Sequence, residues 1–219
     1  MALLAGAVAL AGCSQAIAAE STFQAPVPTR VAHEGAGLKT AIFSGGCFWG
    51  VEAVFSHVKG VTSAVSGYRG GTLAHPSYEQ VSSGTTGHAE SVKVTYDPSV
   101  VRYDQLLRVF FSVVADPTLK NRQGPDEGTQ YRAALVPLNP EQRAVAAAYL
   151  AQMKASHVWK PPIVVQIEPA GTFWPAEDYH QDFAYHNPQQ GYIVRWDLPK
   201  VAALKAMFPT LYSPAFKTG

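Results

Sequence analysis

The sequence predicts a two-layer α+β sandwich of the ferredoxin-like, split β-α-β type, on three observations. Short apolar or alternating runs and helical periods follow one another in the order β-α-β-β-α-β, with one further helix and strand behind. Glycines and an Asp-Pro pair punctuate the joints. The chain has 219 residues, 47% of them apolar and 11% aromatic, enough for one core with extensions.

Residues 39–44 ("KTAIFS") read as a short buried strand, and Gly45-Gly46 turn the chain. Over 47–58, Phe48, Val51, Val54, Phe55 and Val58 recur at a helical period, and Gly60 ends it. Residues 61–68 alternate as a strand, 75–83 form a short helix behind Pro76, and 88–96 alternate again until Asp97-Pro98. The second long helix is expected over 103–115, with Leu106, Leu107, Phe110, Phe111 and Val114 on one face. A polar loop over 116–130 leads to a strand at 131–136. A helix follows over 140–156, with Asn139 as its cap and Pro140 in its first turn. Residues 163–170 read as the last strand.

Net charge is +1, charged residues make up 15%, and no basic run stands out, so a nucleic-acid partner is not expected. Neither a P-loop nor a dinucleotide fingerprint is present. Two cysteines cannot build a disulfide framework, and no C-x-x-C pair exists. The apolar start up to Gly12 would span about 18 Å as a helix, short of the ~30 Å hydrocarbon core. Residues 1–18 are therefore expected to be an export signal. Leu10-Ala11-Gly12-Cys13 resembles a lipoprotein signal with Cys13 as lipid anchor, and Ala16-Ile17-Ala18 resembles an ordinary cleavage site. The expected location is the bacterial periplasm or its membrane surface, or the cytoplasm if this signal does not function. Residues 19–37 carry prolines and glycines without a period and read as a linker, leaving 38–219 as one catalytic domain with a C-terminal extension.

Cys47 falls at the junction of strand and helix. Unpaired amides at a helix N-terminus favour a thiolate, which is the nucleophilic form of cysteine. An inert buried thiol is the plainer reading of such a residue. Phe48-Trp49 tip the balance, because two adjacent bulky rings at a helix start point in different directions and one can line a pocket.

The stretch "GCFWG" resembles the active-site signature of type A peptide methionine sulfoxide reductases. "GYRGG" at 67–71, "HPSYEQV" at 75–81, "SGTTGHAESV" at 83–92, "NRQGPDEGTQYRAAL" at 121–135 and "FWPAEDYHQDF" at 173–183 extend the resemblance over roughly 40–192. It implies reduction of the S epimer of methionine sulfoxide, free or in oxidised proteins, by a monomer without a cofactor. It casts Cys47 as nucleophile, Glu90 as proton donor and Asp126 as a polar assistant. Tyr78 and Tyr131 would hold the sulfoxide oxygen, and Phe48 and Trp49 would wall the substrate's S-methyl group. Standing alone, Glu90 would read as a solvated strand carboxylate and Tyr131 as packing. The sequence departs from many relatives at Ile193, where a recycling cysteine is expected after "GY", and no cysteine follows. The sulfenic acid formed on Cys47 then needs an external donor of the thioredoxin, glutaredoxin or glutathione type, unless Cys13 persists as a free thiol.

Two other functions fit parts of the pattern. Cys47 with His88 as base would make an acyl-transfer enzyme, and an aromatic pocket alone would make a binding module for methionine-rich partners. His180, His186 and Asp178 form at best a weak metal triad; the histidines are expected at the surface or core edge.

Overall fold

The computed structural model describes residues 23–219. The expected export segment, its two processing sites and Cys13 lie outside them. The strands are β1 (Lys39–Gly45), β2 (Val61–Arg69), β3 (Ala89–Tyr96), β4 (Arg122–Gln123), β5 (Asp126–Glu127), β6 (Ala133–Val136), β7 (Gln166–Ile167) and β8 (Phe173–Pro175). The helices are α1 (Phe48–Ser56), α2 (Tyr78–Ser82), α3 (Tyr103–Val109), α4 (Pro140–Ser156), α5 (Phe183–His186) and α6 (Leu198–Met207). Six strands form one sheet in the order β7-β6-β1-β3-β2-β8, and β4 pairs with β5 alone.

The inner four strands, β6-β1-β3-β2, pair antiparallel, with α1 joining β1 to β2 and α3 on the path from β3 to β6. This is the expected split β-α-β arrangement. Both helices lie on one face because Phe43, at the centre of β1, draws rings from each. It stacks on Phe55 of α1 at 4.6 Å, and on Phe110 and Tyr103 from α3 and its continuation at 5.7 and 6.1 Å. Such aromatic burial supplies much of a core's stabilisation.

Asn139 caps α4 as expected, its Oδ1 accepting the Gln142 amide at 2.9 Å. Other expectations need correction. The helix over 103–115 changes after Val109 into a π-helical turn, Phe110–Val114. The strand at 163–170 shrinks to two residues, since Pro161-Pro162 and Pro169 remove ladder donors around it. The polar loop at 116–130 contains the β4–β5 hairpin, and β8 and α6 were not expected at all.

Residues 23–37 contain neither helix nor strand but are fastened to the domain. The Ala25 amide donates to Ser112 Oγ at 2.9 Å, Tyr149 donates to the Pro26 carbonyl at 2.7 Å, and the Ala32 amide donates to Asp104. Glu34 accepts from the Tyr96 hydroxyl and the Tyr103 amide. Among the described residues, no helix is long and apolar enough to cross a membrane.

Candidate active site

Cys47 is the N-cap of α1, at the end of the β1 turn. That turn is possible only with glycine at position 46: φ is +90°, and a Cβ there would lie 2.6 Å from Gln123 Cβ. The close approach seats the β4–β5 hairpin beside the thiol. Gln123 locks the hairpin in place by exchanging hydrogen bonds with the Asp116 backbone, both at 2.8 Å. The hairpin in turn carries Asp126, which accepts a hydrogen bond from the Tyr192 hydroxyl.

Glu90 sits in β3, 1% exposed, opposite Tyr68 of β2. Its Oε2 accepts the Phe48 amide at 2.9 Å, so it occupies the first unpaired N–H of α1. Burial pushes its pKa up to about 8, with Asp126 and Asp197 adding to the rise and the Phe48 amide opposing it. Near neutral pH this carboxyl keeps its proton.

The thiol departs from the sequence expectation. Burial raises the Cys47 pKa well above the ordinary value, and Glu90, Asp197 and Asp126 push the same way. The Trp49 amide does favour the thiolate, as a helix N-terminus should, but it is outweighed. The resting group is a neutral thiol among carboxyls.

The two aromatic rings divide their work. Phe48 is 1% exposed, its ring 5.8 Å from Tyr68 and 5.0 Å from His180. Trp49 stays half-buried, stacks on Phe183 at 3.8 Å and meets Tyr192 edge-on at 5.9 Å. Its Nε1–H donates to His180 Nδ1 at 3.2 Å. His180 is therefore buried in the aromatic wall, not at the surface, and its ring lies 4.4 Å from Tyr78. Burial lowers its pKa, which suits its role as acceptor from the indole. His186 is exposed. Among the described residues, no group of three His, Cys, Asp or Glu side chains is placed to hold a metal ion.

Tyr78 opens α2, where Ser77 and Gln80 form a capping box. Glu177 fixes this start: it accepts the Tyr78 amide at 2.8 Å and the Tyr68 hydroxyl at 2.8 Å. Tyr131 was expected on a strand but ends a 3-10 turn, Thr129–Tyr131, before β6 begins. Gly128 starts that turn with φ +139° and accepts the Tyr131 amide at 3.0 Å. Burial raises the pKa of both phenols, and Glu90, Asp126 and Cys47 add to it, so both keep their protons and face the acidic cluster.

The structure thus brings Cys47, Glu90, Asp126, Tyr78 and Tyr131 together, with Phe48 and Trp49 beside them. Sequence reasoning missed four partners: Tyr68, Glu177, His180 and Tyr192. Their signal lay within "GYRGG", "FWPAEDYHQDF" and the "GY" before Ile193. Ile193 itself is fully buried in a second π-helical turn, Ile193–Asp197. His88 is not free to act as a base on Cys47. Its Nδ1 accepts the Gly71 amide at 3.2 Å, and its Nε2 lies 2.8 Å from the Leu73 carbonyl. The acyl-transfer alternative loses its base.

Comparison with known proteins agrees with this geometry. The family model described as peptide methionine sulfoxide reductase matches residues 39–210. The chain is 57% identical to peptide methionine sulfoxide reductase MsrA 2 of Mesorhizobium japonicum, over 81% of this chain and 91% of that protein. It is 50% identical to peptide methionine sulfoxide reductase MsrA of Deinococcus radiodurans, over 80% of this chain and 84% of that protein. Among solved structures it resembles reduced Mxr1 of Saccharomyces cerevisiae, with a TM-score of 0.62 and 31% identity over 74% of this chain and 92% of that one. Methionine sulfoxide reductase A of Corynebacterium diphtheriae gives a TM-score of 0.59 and 31% identity, over 77% and 83%. The chain belongs to the peptide methionine sulfoxide reductase family.

Proposed function

We propose that this chain reduces methionine S-sulfoxide, free or in oxidised proteins, to methionine, with Cys47 as nucleophile and an external thiol as reductant. One observation carries the reading: the Cys47 thiol and the protonated Glu90 carboxyl share the N-terminal turn of α1. A sulfoxide oxygen leaves poorly unless protonated, and a carboxyl with a pKa near 8 can donate at neutral pH. Sγ attacks the sulfoxide sulfur as Glu90 gives its proton to the oxygen and takes the proton of the thiol. The S–O bond then breaks, leaving a sulfonium in which Sγ is joined to the methionine sulfur. The released hydroxide attacks Sγ, the S–S bond breaks with its electron pair going to methionine, and Cys47 is left as a sulfenic acid. Tyr78 and Tyr131 donate to the oxygen, and Asp126, held by Tyr192, orders the polar side. Phe48 and Trp49, the latter steered by His180, receive the S-methyl group.

One external thiol then displaces water from the sulfenic acid to give a mixed disulfide. A second thiol, from the same donor or another molecule, releases Cys47 as the thiol. A dithiol protein of thioredoxin or glutaredoxin type, or glutathione, fits this chemistry. Cys47 is the only cysteine among the described residues. Export to the periplasm, with or without a lipid on Cys13, remains part of the proposal and is supported by the apolar first twelve residues.

Single-turnover reduction of separated epimers tests the reading. Wild type is expected to consume the S epimer and leave the R epimer. Tyr78→Phe and Tyr131→Phe should each slow the S reaction mildly and together severely, since either phenol alone can still hold the oxygen. Consumption of the R epimer instead, or a wild-type rate in the double variant, contradicts the assignment.

A further inference from the structure

We propose that Asp197 is a third acid of the active site, a carboxyl that shares the N-terminal end of α1 with Cys47 and Glu90 and restrains the thiol from ionising before substrate binds. The inference rests on the reductase reading above and assigns a control on that same site.

Three acidic groups lie against the first turn of α1. The Phe48 amide donates to Glu90 at 2.9 Å, and the Trp49 amide favours the Cys47 thiolate. At the next residue, Asp197 Oδ1 enters the space a side chain would take: a Cβ on Gly50 would lie 2.2 Å from it. Only glycine at position 50 admits the carboxyl. Asp197 is 1% exposed and is delivered from the far end of the chain, where the turn Ile193–Asp197 passes into α6. The positive end of a helix suits an acid there. A thiolate must then form against carboxyls that share the same positive end.

Other groups facing this cluster are Asp126 on β5 and the phenols of Tyr78, Tyr131 and Tyr192; the His180 ring packs on Phe48 and Trp49 beside it. Lys200 lies one turn further along α6. Asp197 raises the pKa of both Cys47 and Glu90. Its effect on the two is therefore in one direction: thiol and acid both hold their protons longer as pH rises. The thiolate is the form that peroxides and electrophiles attack. With no second cysteine among the described residues to recapture a sulfenic acid, a restrained thiol limits oxidation that repairs nothing.

The test is the pH dependence of Cys47 alkylation by iodoacetamide in the full-length, reduced protein. In Asp197→Asn, an isosteric change, the alkylation midpoint should fall by about half a pH unit or more. Oxidation by hydrogen peroxide at fixed pH should quicken by the matching factor of about three or more. The alkaline limb of single-turnover sulfoxide reduction should move to lower pH as well. Gly50→Ala, whose methyl displaces the carboxyl, should shift the midpoint the same way and serves if Asp197→Asn folds poorly. An unchanged midpoint in a folded variant of either kind overturns the proposal, as does lost thermal stability without a shift. Alkylation needs no sulfoxide turnover. A shifted midpoint in a chain that fails to reduce sulfoxide would sink the reductase reading and leave Asp197 in place.

Discussion

Cys47→Ser is expected to abolish reduction of methionine sulfoxide while leaving the fold intact. A hydroxyl is a far weaker nucleophile towards sulfur than a thiol, and the site offers no second thiol among its described residues. The loss should be on the order of 10⁴-fold or more, the scale on which removing a nucleophile acts in other enzymes. Serine is close in size to cysteine, and position 47 requires only N-cap backbone geometry, which serine favours. Circular dichroism should therefore match the wild type. The measurement is methionine release under single-turnover conditions, and activity near the wild-type level would remove Cys47 from the mechanism.

Glu90→Gln should slow the same step by about 10²–10⁴-fold, the usual share of general acid catalysis. Substrate affinity should change less, because glutamine still accepts the Phe48 amide. The pH dependence sharpens the prediction. In the wild type Glu90 is protonated below about pH 8 and ionised above it, so the reductive rate should fall through that region. The glutamine variant has no proton to lose there and should lack that limb. Glu90 is also the leading charged contributor to the raised thiol pKa, after burial itself. Its neutral replacement should let Cys47 alkylate faster at alkaline pH even as catalysis slows. Stopped-flow single turnover across pH 6–10 reads the rate and its limb, iodoacetamide alkylation over the same range reads the thiol, and an unchanged single-turnover rate at pH 7 would exclude Glu90 as the donor.

The legible part of this fold was its local chemistry. The period through Phe48, Val51 and Phe55 gave α1, and Asn139-Pro140 gave the start of α4 to the residue. What escaped was set by distant partners. Residues 163–170 look strand-like in composition, yet only Gln166–Ile167 pair as a strand, parallel to β6. Tyr131 alternates with its neighbours like a strand residue, but Gly128 closes a 3-10 turn on it. Helix α6 carries too weak an apolar period to announce itself; it buries only Val201 and Leu204.

The same division holds in the site. The amide that favours a Cys47 thiolate comes from Trp49, two residues away, and could be expected from sequence. Burial outweighs it first, and the carboxyls that add to the rise come from β3, the turn Ile193–Asp197 and β5, which only the folded chain brings to one helix end. Trp49 and His180 are 131 positions apart, and Tyr192 and Asp126 are 66 apart. Motif resemblance found Glu90, Asp126, Tyr78 and Tyr131 because it matches positions one by one. It gave no reason to join Glu177 to Tyr68 and Tyr78, a link made by two hydrogen bonds to the Glu177 carboxylate.

Intact-mass analysis after one turnover without reductant tests the central claim most directly. The mature, reduced protein is mixed with excess methionine S-sulfoxide, and both methionine and protein mass are measured. The account predicts about one methionine per chain, since one thiol reacts, and a single added oxygen on Cys47 that a sulfenate-specific probe captures. Glutathione or a dithiol donor should then restore turnover. Absence of methionine release, or a Cys13–Cys47 disulfide in place of the sulfenic acid, would contradict it.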